Sequence, residues 1–224
     1  PDFVLNGGDM LVDGDDVDGW LDFLSMSANV TAELPYMPTL GNHDDGPGEG
    51  NGANYNRIFN LPRSELANGG SGTEDFYYFT YGNAIFVALS TATFSGGTSK
   101  FQQQAAWLDK VLTQNPKRWR FVYLHHPLYT ENLFVNHPPN EVDQNAAFVP
   151  IFNKHHVDIV FQSHNHFYER FAPSNCKSGG STKPCMVSSY DKGTVYVTSG
   201  GGGAFTIPFP GFTSKQRPAA SGSH

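Results

Sequence analysis

The chain has 224 residues, 38% of them hydrophobic and only 16% charged, with a formal net charge of −7. That length supports one α/β domain with a sizeable core, and 18 Phe, 10 Tyr and 3 Trp spread along it argue against disorder. A net negative chain with no basic run is a poor general nucleic-acid binder, and no apolar run approaches the ~20 residues of a membrane span.

With 24 Gly and 15 Pro, much of the chain is expected to be loop. Phe3-Val4-Leu5 reads as a short buried strand running into Gly7-Gly8-Asp9. A helix is predicted within 15–30, because Val17, Trp20, Leu21 and Leu24 repeat at helical spacing behind an acidic first turn. Tyr36-Met37-Pro38-Thr39-Leu40 is a second strand, ending in Gly41-Asn42-His43-Asp44. Residues 45–54 read as an open Gly-rich loop, and Tyr55 to Leu61 as a helix stopped by Pro62. Phe76–Tyr81 and Ala84–Ser90 form a hairpin around Gly82-Asn83.

A helix is then predicted near Ser99, with Ser99 and Gln102 as a capping box and Phe101, Ala105, Leu108 and Leu112 on one face. Phe121–Leu124 is a strand ending in His125-His126-Pro127, followed by a polar loop over 128–142. A helix over 143–154 has Asp143 as its expected N-cap. Asp158–Phe161 is a strand ending in Ser163-His164-Asn165-His166, and Thr194–Thr198 is the last clear strand. A domain over 1–207 and a tail or linker over 208–224 are expected. Because the chain opens on a core strand, further sequence is expected before it.

Two signals bear on compartment. Cys176 and Cys185 stand nine residues apart in a Gly- and Pro-rich loop, where they either close a disulfide or remain two thiols. Asn29-Val30-Thr31 is an N-glycosylation sequon. Together they suggest a secreted or extracytoplasmic protein.

The order of elements predicts an α/β fold. Four apolar strands each end in a polar cluster: Asp9, Asn42-His43-Asp44, His125-His126 and His164-Asn165-His166. Ligand sites of α/β sheets gather at the carboxyl ends of strands, so the four clusters argue for one shared site. A carboxylate can bridge two metal ions, imidazole suits Zn, Fe and Mn-like ions, and an Asn amide adds an oxygen donor. His164 and His166 alternate on extended backbone and so share a side, which lets them reach adjacent ions. Two such ions about 3.5–4 Å apart clamp a phosphoryl oxygen and lower the pKa of a bound water toward ~7, which yields hydroxide for in-line attack on phosphorus. Each cluster alone is ambiguous: Asp after Gly-Gly is commonly a turn residue, and a single His is commonly a satisfied core residue.

Gly8-Asp9, Gly41-Asn42-His43-Asp44, Val122-Tyr123-Leu124-His125 and His164-Asn165-His166 resemble the ordered motifs of the calcineurin-like metallophosphoesterases. The closest likeness is to the purple acid phosphatase branch, strengthened by the segment from Ser163 to Arg170 and by Gln104-Ala105-Ala106-Trp107-Leu108. The resemblance runs from about Phe3 to about Gly203. It implies a four-layer α/β/β/α sandwich with two mixed β-sheets and a centre of two transition metals (Fe, Zn or Mn). The activity it implies is hydrolysis of a small phosphorylated substrate, most simply a phosphate monoester.

By this resemblance Asp9 is the bridging carboxylate, Asn42, His125 and His164 complete the second metal, and His166 belongs to the first. His43 is the histidine that contacts phosphate or protonates the leaving group, with Asp44 placed to orient it. His126 and His137 are candidates for substrate contact, His137 being equally readable as an exposed loop residue. Three departures stand out. The family's earlier strand, which brings an Asp to the first metal, would lie upstream of Pro1. Val12 occupies the place of the branch's tyrosine, which removes the expected tyrosinate-to-iron colour. Ser163 replaces the usual Gly before the paired histidines. The first metal thus keeps only Asp9 and His166, too few for tight binding. A non-catalytic structural or assembly module with the same fold is the alternative reading.

Overall fold

The computed structural model describes residues 1–46, 52–62, 69–92, 97–131, 141–177, 183–205 and 220–222. Its elements, in chain order, are β1 (Val4–Asn6), α1 (Val17–Thr31), β2 (Tyr36–Pro38), α2 (Ala53–Ile58), β3 (Tyr77–Tyr81), β4 (Ala84–Ala88), α3 (Gly97–Gln114), β5 (Trp119–Tyr123), α4 (Glu141–His155), β6 (Ile159–Gln162), β7 (Tyr168–Arg170), β8 (Val195–Ser199) and β9 (Ala220–Gly222). Strands β1 and β2 pair in parallel as a small sheet. The large sheet is mixed, in the order β3-β4-β5-β6-β8-β7-β9. Its centre, β4-β5-β6-β8, is parallel, whereas β3 and β7 run antiparallel to their neighbours.

Strand alternation sorts the large sheet into two faces. Ile85, Val87, Leu89, Val122, Leu124, Val160 and Tyr196 meet Phe101, Ala105, Leu108 and Leu112 of α3 and Ala147, Phe148 and Phe152 of α4. The intervening residues Tyr77, Phe79, Phe86, Ala88, Tyr123 and Phe161 face the other way, onto Leu5 of β1, Met37 of β2, Trp20 and Phe23 of α1 and Tyr55 of α2. The layers are therefore helices α3 and α4, large sheet, small sheet, then α1 and α2: an α/β/β/α sandwich. Among the described residues the large sheet is mixed and the two strands of the small one are parallel.

Several boundaries differ from the sequence expectations. α2 ends at Ile58, short of Pro62, because Phe59 is extended (φ −93°, ψ 136°); its ring packs on Trp20, Tyr36 and Tyr55 instead of continuing the helix. α3 begins at Gly97, so Ser99 lies inside the helix and not at its cap. Asp143 likewise lies within α4, which begins at Glu141. β7 and β9 carried no strand signal. Tyr168-Glu169-Arg170 has no apolar alternation, and Ala220-Ser221-Gly222 lies in the segment expected to be a tail, yet it pairs with β7. Cys176 and Cys185 are joined by a disulfide. Asn29 is exposed in the last turns of α1. No helix among the described residues is long and apolar enough to cross a membrane.

Phe148 is fully buried between the rings of Phe101 and Phe152. Truncating it leaves a cavity between α3 and α4, so Phe148→Ala is expected to cost about 3–5 kcal/mol, read as a lower urea midpoint.

Candidate metal centre

The four motifs leave four parallel strands that end on one rim of the sandwich. β1 and β2 are neighbours in the small sheet, and β5 and β6 are neighbours in the large one. Hydrogen bonds then bring the loops closer. The Asp44 carboxylate accepts three backbone N–H bonds, from Asp9 (2.7 Å), Met10 (2.7 Å) and Gly41 (2.9 Å). Asp9 Oδ1 returns one by accepting from the His43 N–H at 2.9 Å. On the core side the Pro38 carbonyl accepts from Tyr77 (2.7 Å) and Tyr55 (3.2 Å), and Thr39 Oγ1 donates to the Leu89 carbonyl (2.8 Å). These bonds hold the exit of β2 that carries Asn42.

Close approach demands glycine at the crossing. Gly8 has φ +90°, and a Cβ there would strike the Gly41 backbone and the His125 ring. Asp9 (φ 56°) and His164 (φ 60°) hold the left-handed conformation without being glycine, a strain that concentrates where side chains must be aimed.

His125 is the hub. Its Nδ1–H donates to the Gly7 carbonyl at 2.7 Å, which turns Nε2 toward the other donors, where it either donates a proton to Asp9 or offers its lone pair to a metal. Around that Nε2, Asp9 Oδ2, Asn42 Oδ1 and His164 Nδ1 each lie 3.1 Å away. Two donors about 2.1 Å from one ion stand about 3.0–3.4 Å apart at octahedral or tetrahedral angles, so this donor set fits a transition metal. Burial opposes ionisation of Asp9, but the hydrogen bond and charge of His125 and the His43 N–H hold its pKa at about 2. Burial likewise opposes protonation of His125, while Asp9 raises it. Asp9 therefore remains a carboxylate in acid.

The other expected residues fall as follows. His166 lies beside the cluster on a cleft of about 200 Å³ lined by Asp9, His125, His164, Ser199 and Gly200; its Nδ1–H donates to the Phe205 carbonyl at 3.1 Å. His43 is exposed next to Asp9, and its Nδ1–H donates to the Val12 carbonyl at 2.8 Å. Asp44 therefore does not orient His43, as expected above. It is fully buried and saturated by backbone amides of its own and the β1 loop, and Val12 orients the imidazole. The Val12 side chain is 88% exposed.

His126 is buried, with its N–H (2.9 Å) and Nδ1 (3.0 Å) on Thr91 Oγ1. Burial and the neighbouring His125 and His164 push its pKa well below the usual range. The ligand atoms of His125, His126 and His164 lie within 4.8 Å of one another, which sets His126 in the inner wall of the cluster and not on an open surface. His137 lies outside the described residues. The carbonyls of Gly7 and Val12 were missed from sequence because a backbone acceptor carries no residue signature, and Thr91 because its hydroxyl meets His126 only in the fold.

A family model for calcineurin-like phosphoesterase matches residues 1–168, and the chain belongs to that family. Purple acid phosphatase 1 of Ipomoea batatas is 30% identical over 191 residues, 82% of this chain and 39% of that protein. Acid phosphatase type 7 of Mus musculus is 26% identical over 97% of this chain and 51% of its own length. The chain thus spans about two-fifths to one half of these relatives. Among solved structures, the purple acid phosphatase PPD1 from yellow lupin seeds superimposes with a TM-score of 0.75 at 22% identity, over 99% of this chain and 40% of that one. GAP50, the anchor in the inner membrane complex of Plasmodium, gives 0.61 at 15% identity, over 99% of this chain and 67% of its own. At these identities the two structures establish the fold.

Two substitutions test the site's construction. A Cβ at Gly7 would overlap Ser163 Oγ and Cβ, so Gly7 makes the room that Ser163 takes. Gly7→Ala should destabilise by about 1–3 kcal/mol, and adding Ser163→Gly should recover most of it in thermal melts. Asp44→Asn turns an acceptor of three N–H bonds into a group with one acceptor and one donor. A loss of about 1–3 kcal/mol and a 10–100-fold weaker metal affinity by titration are expected.

Proposed function

We propose that this chain is the greater part of the catalytic domain of a metal-dependent phosphomonoesterase of the acid phosphatase kind, acting on small phosphorylated substrates. The observation that carries the reading is the set of Asp9, Asn42 and His164 donors, each 3.1 Å from His125 Nε2, beside an open cleft. Asp9, Asn42, His125 and His164 would hold one ion. Asp9 and His166 would contribute to a second, whose further ligands are proposed to come from sequence upstream of Pro1. When bound, the ions (Fe, Zn or Mn) supply positive charge to phosphoryl oxygens and acidify a coordinated water.

The chain's own residues divide the remaining work. Asp9 stays anionic in acid, which suits turnover at low pH. His43, fixed at Nδ1 by Val12, presents Nε2 to the phosphate or to the leaving oxygen and is read as the proton donor. His126 backs the cluster, and its neutral ring adds no repelling charge. The disulfide and the exposed sequon at Asn29 support a secreted, glycosylated protein.

A second reading is favoured by the likeness to GAP50, whose description is that of an anchor: the fold kept as a non-catalytic assembly module. It predicts at most one metal per chain and no turnover.

The protein extended upstream of Pro1 should release phosphate from an aryl phosphate after loading with Mn, Zn or Fe, with two metals per chain by elemental analysis. Asp9→Ala and His164→Ala should abolish both; full activity in either variant would sink the site. His43→Ala should keep its metals and lose about 10²–10⁴-fold in kcat.

A further inference from the structure

Glu169 is a buried carboxylate that neither the metal cluster nor the core accounts for. It is fully enclosed on β7, opposite Thr198 of β8 and Ser221 of β9. Its Oε1 accepts the Glu131 N–H at 3.0 Å, and the Thr130 hydroxyl also bonds the carboxylate. Its Oε2 has no partner among the described residues. On the other side of Thr198, Gln162 of β6 accepts from the N–H groups of Leu128 (2.7 Å) and Tyr129 (3.3 Å), while its amide donates to the Tyr129 carbonyl (3.2 Å) and to Thr198 Oγ1 (3.0 Å). From α4, Asn145 donates to the Leu128 carbonyl at 2.9 Å. Residues 128–131 follow His125-His126-Pro127 directly, and side chains from β6, β7 and α4 bond their backbone.

We propose that Glu169 is a positioning residue: with Gln162 it latches residues 128–131 to the sheet and so fixes how the chain leaves His125 and His126. Polar side chains buried for packing alone are usually replaceable by apolar ones, whereas this one sits under two donors of a single segment. Among the described residues the charged group that acts on it is Glu131, which repels it; Thr198 does not titrate, and Arg170 follows on the opposite face of β7. Burial first, and then the charge of Glu131, raise its pKa from 4.5 to about 7, against the Glu131 and Thr130 hydrogen bonds. The folded state therefore holds this proton more tightly than the unfolded chain. Its contribution to stability is full below about pH 4.5 and declines as pH rises to about 7. The latch is closed in acid and loosens toward neutrality.

The test uses Glu169→Gln and Glu169→Ala in the metal-loaded protein, with the activity arm resting on the function proposed above. Between pH 5 and 8 the parent should lose on the order of 5 °C in Tm beyond what Glu169→Gln loses. Amide exchange at Glu131 should rise on the order of tenfold in Glu169→Ala and stay near the parent value in Glu169→Gln. Phosphate release by Glu169→Gln should match the parent in acid and persist to higher pH, while Glu169→Ala loses kcat on the order of tenfold with unchanged metal content. The proposal is overturned if Glu169→Gln keeps the parent's pH dependence of Tm, or if Glu131 exchange is the same in Glu169→Ala. Should Glu169→Ala not fold, the Glu169→Gln melts decide. If no phosphate is released by any form, the function proposed above fails, and the melts and exchange still judge the latch.

Discussion

The Asp44 carboxylate is the constraint on which the centre depends. It takes N–H bonds from Asp9 and Met10 in one loop and from Gly41 in another, and Asp9 answers through the His43 N–H. Asp9 is thereby held in a left-handed conformation that the isolated chain would avoid. A buried carboxylate satisfied by three amides is a rigid tie, because releasing any of them leaves a buried donor or a bare charge. With Asp9 and Asn42 so fixed in the small sheet, only one further link is required. The bond from His125 to the Gly7 carbonyl supplies it, joining the large sheet to the small one and setting the ring's tautomer in the same step.

The sandwich makes that link possible. The aromatic and aliphatic residues between the sheets hold them at packing distance, and Tyr77, Tyr55 and Thr39 tether the exit of β2 from below. Parallel neighbours within each sheet deliver two loops apiece to the same rim. The fold thus assembles a donor set from four places in the chain without any of them being close in sequence. Beyond the donors, Gln162 and Glu169 form a polar floor that accepts backbone N–H groups of Leu128 and Glu131.

Much of this was legible beforehand. β1, β4, β5, β6 and β8 announced themselves as apolar runs, and α1 and α3 as helical stripes, since each buries a face against a layer. The candidate donors were legible because Asp, Asn and His at strand ends are chemically distinctive. Glu169 and its strand were not, because a polar triplet in a sheet is explained only by the groups that meet it. The roles of Asp44, Val12 and Ser163 were misread or unread for the same reason: each depends on a partner more than thirty residues away.

By itself, the sequence determined the element types at the core and which side chains are candidate metal donors, which follow from local periodicity and from what Asp, Asn and His can donate. The tertiary structure alone decided which Nε2 and Oδ atoms face one another, that Asp44 ties two loops instead of steering His43, and that Gly7 yields room to Ser163. Those outcomes rest on backbone N–H and C=O groups and on close approach, and such groups are the same in almost every residue until the fold brings particular ones together.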